Sequence, residues 1–109
     1  MRNWILCSGS LGALLLASAL FSAQKPGDAA KGKEVFEQCG VCHNTDTDEK
    51  KIGPSLKGLF KKDKLTSGKK ANEENIRAKI NTGGNGMPSY GDMLSDEEKS
   101  DLIAYLKTL

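Results

Sequence analysis

Cys39-Gly40-Val41-Cys42-His43 constrains this chain more than any other stretch. Two cysteines three apart, followed at once by a histidine, form the pattern through which a chain attaches a c-type haem. The spacing has a chemical reason. On a helix, residues i and i+3 share a face, so both thiols can add to the two vinyl groups along one porphyrin edge. The next residue is carried under the ring, where an imidazole nitrogen can ligate the iron. His43 is the only histidine in the chain.

Other uses of the same residues fit less well. A structural zinc site needs four sulfur or nitrogen ligands, and beyond Cys39, Cys42 and His43 the remaining thiol is Cys7, inside an apolar N-terminal segment. A thioredoxin-type pair belongs to a βαβ pattern, and no run of β-branched residues supplies a sheet. A plain disulfide is chemically possible but leaves His43 without a role.

Residues 1–23 read as a signal peptide: Arg2 begins a positive region and Ile5 to Phe21 is apolar apart from small Ser and Gly interruptions. The rival reading is an uncleaved anchor facing the periplasm, since Trp4 to Ala23 is about long enough to span a bilayer. Leu6 is too large to precede an acylated cysteine, so Cys7 reads as an ordinary residue of the signal. Export and covalent haem attachment agree, because thiols outside the cytoplasm oxidise unless put to another use. The expected location is therefore the periplasm or another exported compartment.

Residues 24–27 form a linker, and residues 28–109 a single domain. A domain this small buries little apolar surface and usually needs a staple, which a covalently bound flat cofactor provides. The expectation is that apoprotein is largely unfolded. With 16 Lys and Arg against 14 Asp and Glu, the charge is nearly balanced, which argues against nucleic acid as a partner.

The pattern predicts an all-α fold of three to four helices. Asp28 caps a first helix whose apolar face runs Ala29, Val35, Phe36, Cys39 and Cys42. Pro54 suits the first position of a short helical turn carrying Leu56, Leu59 and Phe60. Asn72 opens a third element, with Glu73 and Glu74 in its first turn, Ile76 and Ile80 inside and Gly83 as its stop. Ser95 and Glu98 make a capping box before an apolar stripe of Leu102, Ile103, Tyr105, Leu106 and Leu109.

Between the last two helices lies Gly83-Gly84-Asn85-Gly86-Met87-Pro88-Ser89-Tyr90-Gly91. Glycines let a backbone approach a ligand closely, and Pro88 restricts Met87 to extended backbone. Such a loop can hold a thioether sulfur against the open face of a haem, filling the second axial position. The alternative is that Met87 plugs a surface gap. Met93 is the competing sulfur, though just before a capping box it is placed to staple the helix.

Taken together, Gly32-Lys33-Glu34-Val35-Phe36, the Cys39 to His43 motif, Gly53-Pro54-Ser55-Leu56-Lys57-Gly58-Leu59-Phe60, Gly86-Met87-Pro88-Ser89-Tyr90 and Leu102-Ile103-Ala104-Tyr105-Leu106 occur in the order of a family. From about Asp28 to Leu109 the chain resembles the class I c-type cytochromes, in their small bacterial monohaem exported form. The resemblance implies a small domain wrapped around one haem c, thioether bonds at Cys39 and Cys42, and His43 and Met87 as axial ligands. It also implies that the Pro54 carbonyl accepts a hydrogen bond from His43, and that Gly32 and Phe36 meet Tyr105 where the first and last helices cross.

With both axial positions filled, the implied role is a one-electron carrier rather than an enzyme, a monomer docking transiently on redox donors and acceptors through the haem edge. A gas-binding or sensing module, or a minor peroxidase, is the alternative if the methionine ligand is weak or absent. The lysines Lys57, Lys61, Lys62, Lys64, Lys69 and Lys70 read either as a solvated loop, interrupted by Asp63 and followed by Glu73 and Glu74, or as a basic docking face.

Overall fold

The computed structural model describes residues 26–109; the signal or anchor segment expected at residues 1–23 lies outside them. Among the described residues, three α-helices and one short helical turn make up the regular structure: α1 (Ala29–Phe36), a 3₁₀ turn (Leu59–Lys61), α2 (Glu73–Thr82) and α3 (Asp96–Leu106). Among the described residues the regular elements are helical, as the pattern predicts, and no helix is long and apolar enough to cross a membrane.

Each α-helix begins where its capping residue predicts. The Asp28 carboxylate accepts from the amides of Ala30 and Lys31, and the Asn72 side chain from the amide of Asn75. At α3 the box is reciprocal: Ser95 Oγ accepts from the Glu98 amide while Glu98 accepts from the Ser95 amide, both at 3.1 Å. These bonds satisfy amides that the first helical turn leaves without partners. Gly83 ends α2 with φ 62°, a conformation that favours glycine.

Two boundaries differ from the expectation. α1 stops at Phe36, and the haem motif follows it in a succession of tight turns: the amides of Cys39 and Gly40 both bond to the Phe36 carbonyl, and those of Cys42 and His43 to the Cys39 carbonyl. The i, i+3 spacing suits such a turn as well as a helix, so it could not locate the helix end. Pro54 likewise opens no helical turn. The Leu56 amide bonds across to the Asn44 carbonyl at 2.8 Å, which holds this segment open, and helical geometry begins only after Gly58, at φ 64°.

The core consists of Phe36, Leu59, Ile76, Ile80, Leu94, Leu102, Ile103 and Leu106, with Cys39, Leu56, Phe60, Tyr90 and Tyr105 packed at its margin. α1 and α3 cross closely. A Cβ added to Gly32 would run into the Asp101 carbonyl and lie 2.8 Å from the Tyr105 Cβ, so only a glycine lets the two backbones approach this far. Beside it the Phe36 and Tyr105 rings meet at 5.2 Å between centroids, tilted by 51°. The sequence pattern did not single out Asp101, which is buried and accepts from the Asp28 amide at 2.7 Å. It ties the start of α1 to α3.

Candidate functional site

His43 is the best-determined part of the site. Its Nδ1 lies 2.7 Å from the Pro54 carbonyl oxygen. A carbonyl only accepts, so Nδ1 carries a proton, which leaves Nε2 as the nitrogen available to act as a lone-pair donor. Two backbone bonds flank this contact, from the Gly53 amide to the Cys42 carbonyl at 2.7 Å and from the Leu56 amide to the Asn44 carbonyl at 2.8 Å. Residues 42–44 and 53–56 are thus stitched together on both sides of the imidazole. Gly53 also lies directly against the ring: a Cβ there would come within 2.5 Å of Cε1 and 2.9 Å of Nδ1. Buried Ser55 closes the clamp, its hydroxyl donating to the Thr47 carbonyl and accepting from the Lys57 amide at 3.2 Å.

Cys39 and Cys42 are free thiols, half-buried in the turns that lead to His43. Burial, with a smaller contribution from Cys42, pushes the Cys39 thiol above its ordinary range. Tyr90 belongs to the same neighbourhood, its phenol also raised by burial first and then by the two cysteines. It brings the methionine loop to the side of the core that carries the thiols.

Met87 sits at the end of a tight reverse turn. Gly84 and Met87 exchange both backbone hydrogen bonds, at 2.9 and 3.1 Å, around Asn85 at φ 52° and Gly86 at φ 88°. Positive φ at both central residues is the signature of a type I′ turn, for which Asn-Gly is the favoured pair. The loop then returns along the end of α2, with the Tyr90 amide on the Ile80 carbonyl and the Gly91 amide on the Asn81 carbonyl. Met87 is half-buried on this braced loop. Met93 is 64% exposed, so the staple expected of it is not made; its neighbour Leu94 is the residue buried just before the α3 cap.

The residues therefore fit a covalently held haem. They offer two unpaired thiols on successive turns, an oriented imidazole with a free nitrogen, a glycine that leaves space for nothing larger behind it, and a thioether on a fixed turn. The sequence reading missed the two side chains that brace this last loop. Lys79 Nζ donates to the Gly83 carbonyl at 3.0 Å and buried Lys99 Nζ to the Gly91 carbonyl at 2.8 Å. No pattern marks a lysine for such a contact, because on an amphipathic helix it reads as surface.

Comparison with known proteins agrees with this geometry. Residues 29–109 match the sequence model of the family Cytochrome c. Cytochrome c2 of Blastochloris viridis is 34% identical over 88% of this chain and 88% of its own length. Cytochrome c oxidase subunit 2 of Alkalihalophilus pseudofirmus is also 34% identical over 74% of the chain, which spans only 25% of that subunit. Among solved structures, cytochrome c6 from the diatom Phaeodactylum tricornutum superposes with a TM-score of 0.59 at 30% identity, covering 75% of this chain and 93% of that one. The chain belongs to the cytochrome c family, in the class I form that its motif order resembles. Its cofactor is one covalently bound haem c, and its role is that of an electron carrier.

Proposed function

We propose that the protein is a monomeric, exported one-electron carrier whose haem is held by thioethers at Cys39 and Cys42 and whose iron is ligated by His43 and Met87. The haem supplies a one-electron iron couple. What the protein adds is confinement of the ligands. The hydrogen bond from His43 Nδ1 to the Pro54 carbonyl carries this reading, because it fixes the ring and directs Nε2 outward as a lone-pair donor, as partners of ligating histidines generally do. The braced turn at Met87 supports the second ligand. A histidine and methionine pair favours ferrous iron, raises the reduction potential and leaves no position for an outside ligand.

Residues 1–23 would act as the export signal, or as an anchor facing the periplasm if left uncut. Redox donors and acceptors of that compartment would dock transiently at the haem edge. Potentiometric titration of the haem-loaded protein, followed by carbon monoxide addition to the reduced form, tests the proposal. It predicts a single one-electron wave at positive potential and poor carbon monoxide binding. Ready binding would instead favour the gas-binding or peroxidase reading.

A further inference from the structure

The loop of residues 83–91 carries Gly83, Gly84 and Gly86, each at positive φ, and a lysine ammonium reaches a carbonyl at each of its ends. Lys79, on the last turn of α2, donates to the Gly83 carbonyl at 3.0 Å. Lys99, on α3, donates to the Gly91 carbonyl at 2.8 Å. Between these points Met87 is bonded to Gly84, within the loop itself. The ends of the turn are also held by backbone, the Gly83 amide on the Lys79 carbonyl and the Tyr90 and Gly91 amides on the Ile80 and Asn81 carbonyls, and the two ammoniums add to that hold.

Lys99 is the more telling of the two, being only 6% exposed. Burying an ammonium is costly unless a partner compensates. The nearest carboxylate, that of Asp96, stands off at 3.8 Å on a side chain that is 96% exposed, so it compensates little. The Gly91 carbonyl is the close partner. An apolar residue would fill the same place on α3 without burying a charge, but it would leave that carbonyl unheld.

We infer that Lys79 and Lys99 are positioning residues that bracket the methionine loop and set how readily Met87 gives up its ligand position, an inference that rests on the proposed ligation by Met87. An outside ligand can take that position only when the loop swings away, so its apparent affinity scales with the fraction of molecules whose loop is open. Loosening either end raises that fraction.

Imidazole is the probe, titrated into the ferric haem-loaded protein and read by loss of the far-red methionine-to-iron band, with Tm measured in parallel. Wild type shows the band and binds imidazole weakly. Lys99→Met and Lys79→Met each bind it about tenfold more tightly, the equivalent of about 1.4 kcal/mol. Arg77→Met is the control, since Arg77 joins α2 to Ser100 of α3 at 3.0 Å without touching the loop; it lowers Tm and leaves imidazole affinity unchanged. Should Lys99→Met not accumulate folded, Lys79→Met, at a half-buried position, decides alone. If the band is present throughout and neither lysine variant binds imidazole more tightly than wild type and Arg77→Met, the bracket is overturned and methionine ligation stands. If wild type lacks the band, ligation by Met87 fails and the bracket falls with it.

Discussion

The backbone of Gly53 lies against the imidazole of His43, with no space for a side chain between them. The contact comes from the segment whose next carbonyl, that of Pro54, orients the same ring. One short stretch thus supplies both the wall and the hydrogen bond that hold the imidazole.

Gly53→Ala should therefore displace His43, because a methyl there would sit 2.5 Å from Cε1. Overpacking of this kind costs about 1–3 kcal/mol. The expected outcome is a lower Tm of the haem-loaded protein together with a changed reduction potential. An unchanged potential with an unchanged Tm would mean that the ring has room to move.

Gly32→Ala acts at the crossing of α1 and α3, where a Cβ would meet the carbonyl of Asp101. Backbone cannot yield as a flexible side chain can, so the helices must separate and the Phe36 to Tyr105 contact at 5.2 Å must loosen. Denaturant unfolding should show a loss of about 2 kcal/mol or more, with the haem spectrum little altered in the folded state.

How much of this was legible in the sequence depended on how local its cause is. The caps at Asp28, Asn72 and Ser95 and the stop at Gly83 were readable because each is decided within one turn of chain. The haem motif was readable because its chemistry demands those residues at that spacing, whereas the Asn85-Gly86 turn was read only as part of a glycine-rich loop. The end of α1 was not, since turns and a helix space Cys39 and Cys42 alike. Nor were Asp101 and Lys99, whose partners Asp28 and Gly91 are brought to them only by tertiary packing. A charged residue on a helix reads as solvated until the chain that covers it is known.

Lys107 donates to Glu73 at 2.8 Å, joining the end of α3 to the start of α2. That hydrogen bond, more than the nearby charges of Lys107 and Arg77, holds the Glu73 carboxyl below its ordinary value of 4.5. A carboxylate depressed in the folded state stabilises fully above its unfolded pKa and loses that contribution as pH falls through the folded one. The bridge should therefore add stability above about pH 4.5 and lose it progressively below. Both side chains are about half exposed, so the contribution is small, about 0.5 kcal/mol. A double-mutant cycle with Glu73→Gln and Lys107→Met should give that coupling at pH 7 and none well below the folded pKa. Equal coupling at both would contradict the assignment.

The six lysines between Lys57 and Lys70 are all exposed, and Lys64 and Lys70 are paired across a short antiparallel bridge. Like charges set opposite each other are unfavourable. If the cluster steers an acidic redox partner, electron-transfer rates should fall as ionic strength rises. A flat or rising dependence would leave it as a solvated loop.

The ferric spectrum of haem-loaded protein, compared between wild type and Met87→Ala, tests the central claim most directly. Ligation by His43 and Met87 predicts a weak far-red band from sulfur to iron in wild type, absent from the variant, whose iron then opens to imidazole when ferric and to carbon monoxide when reduced. A wild-type protein without that band, or a variant that keeps it, would contradict the account.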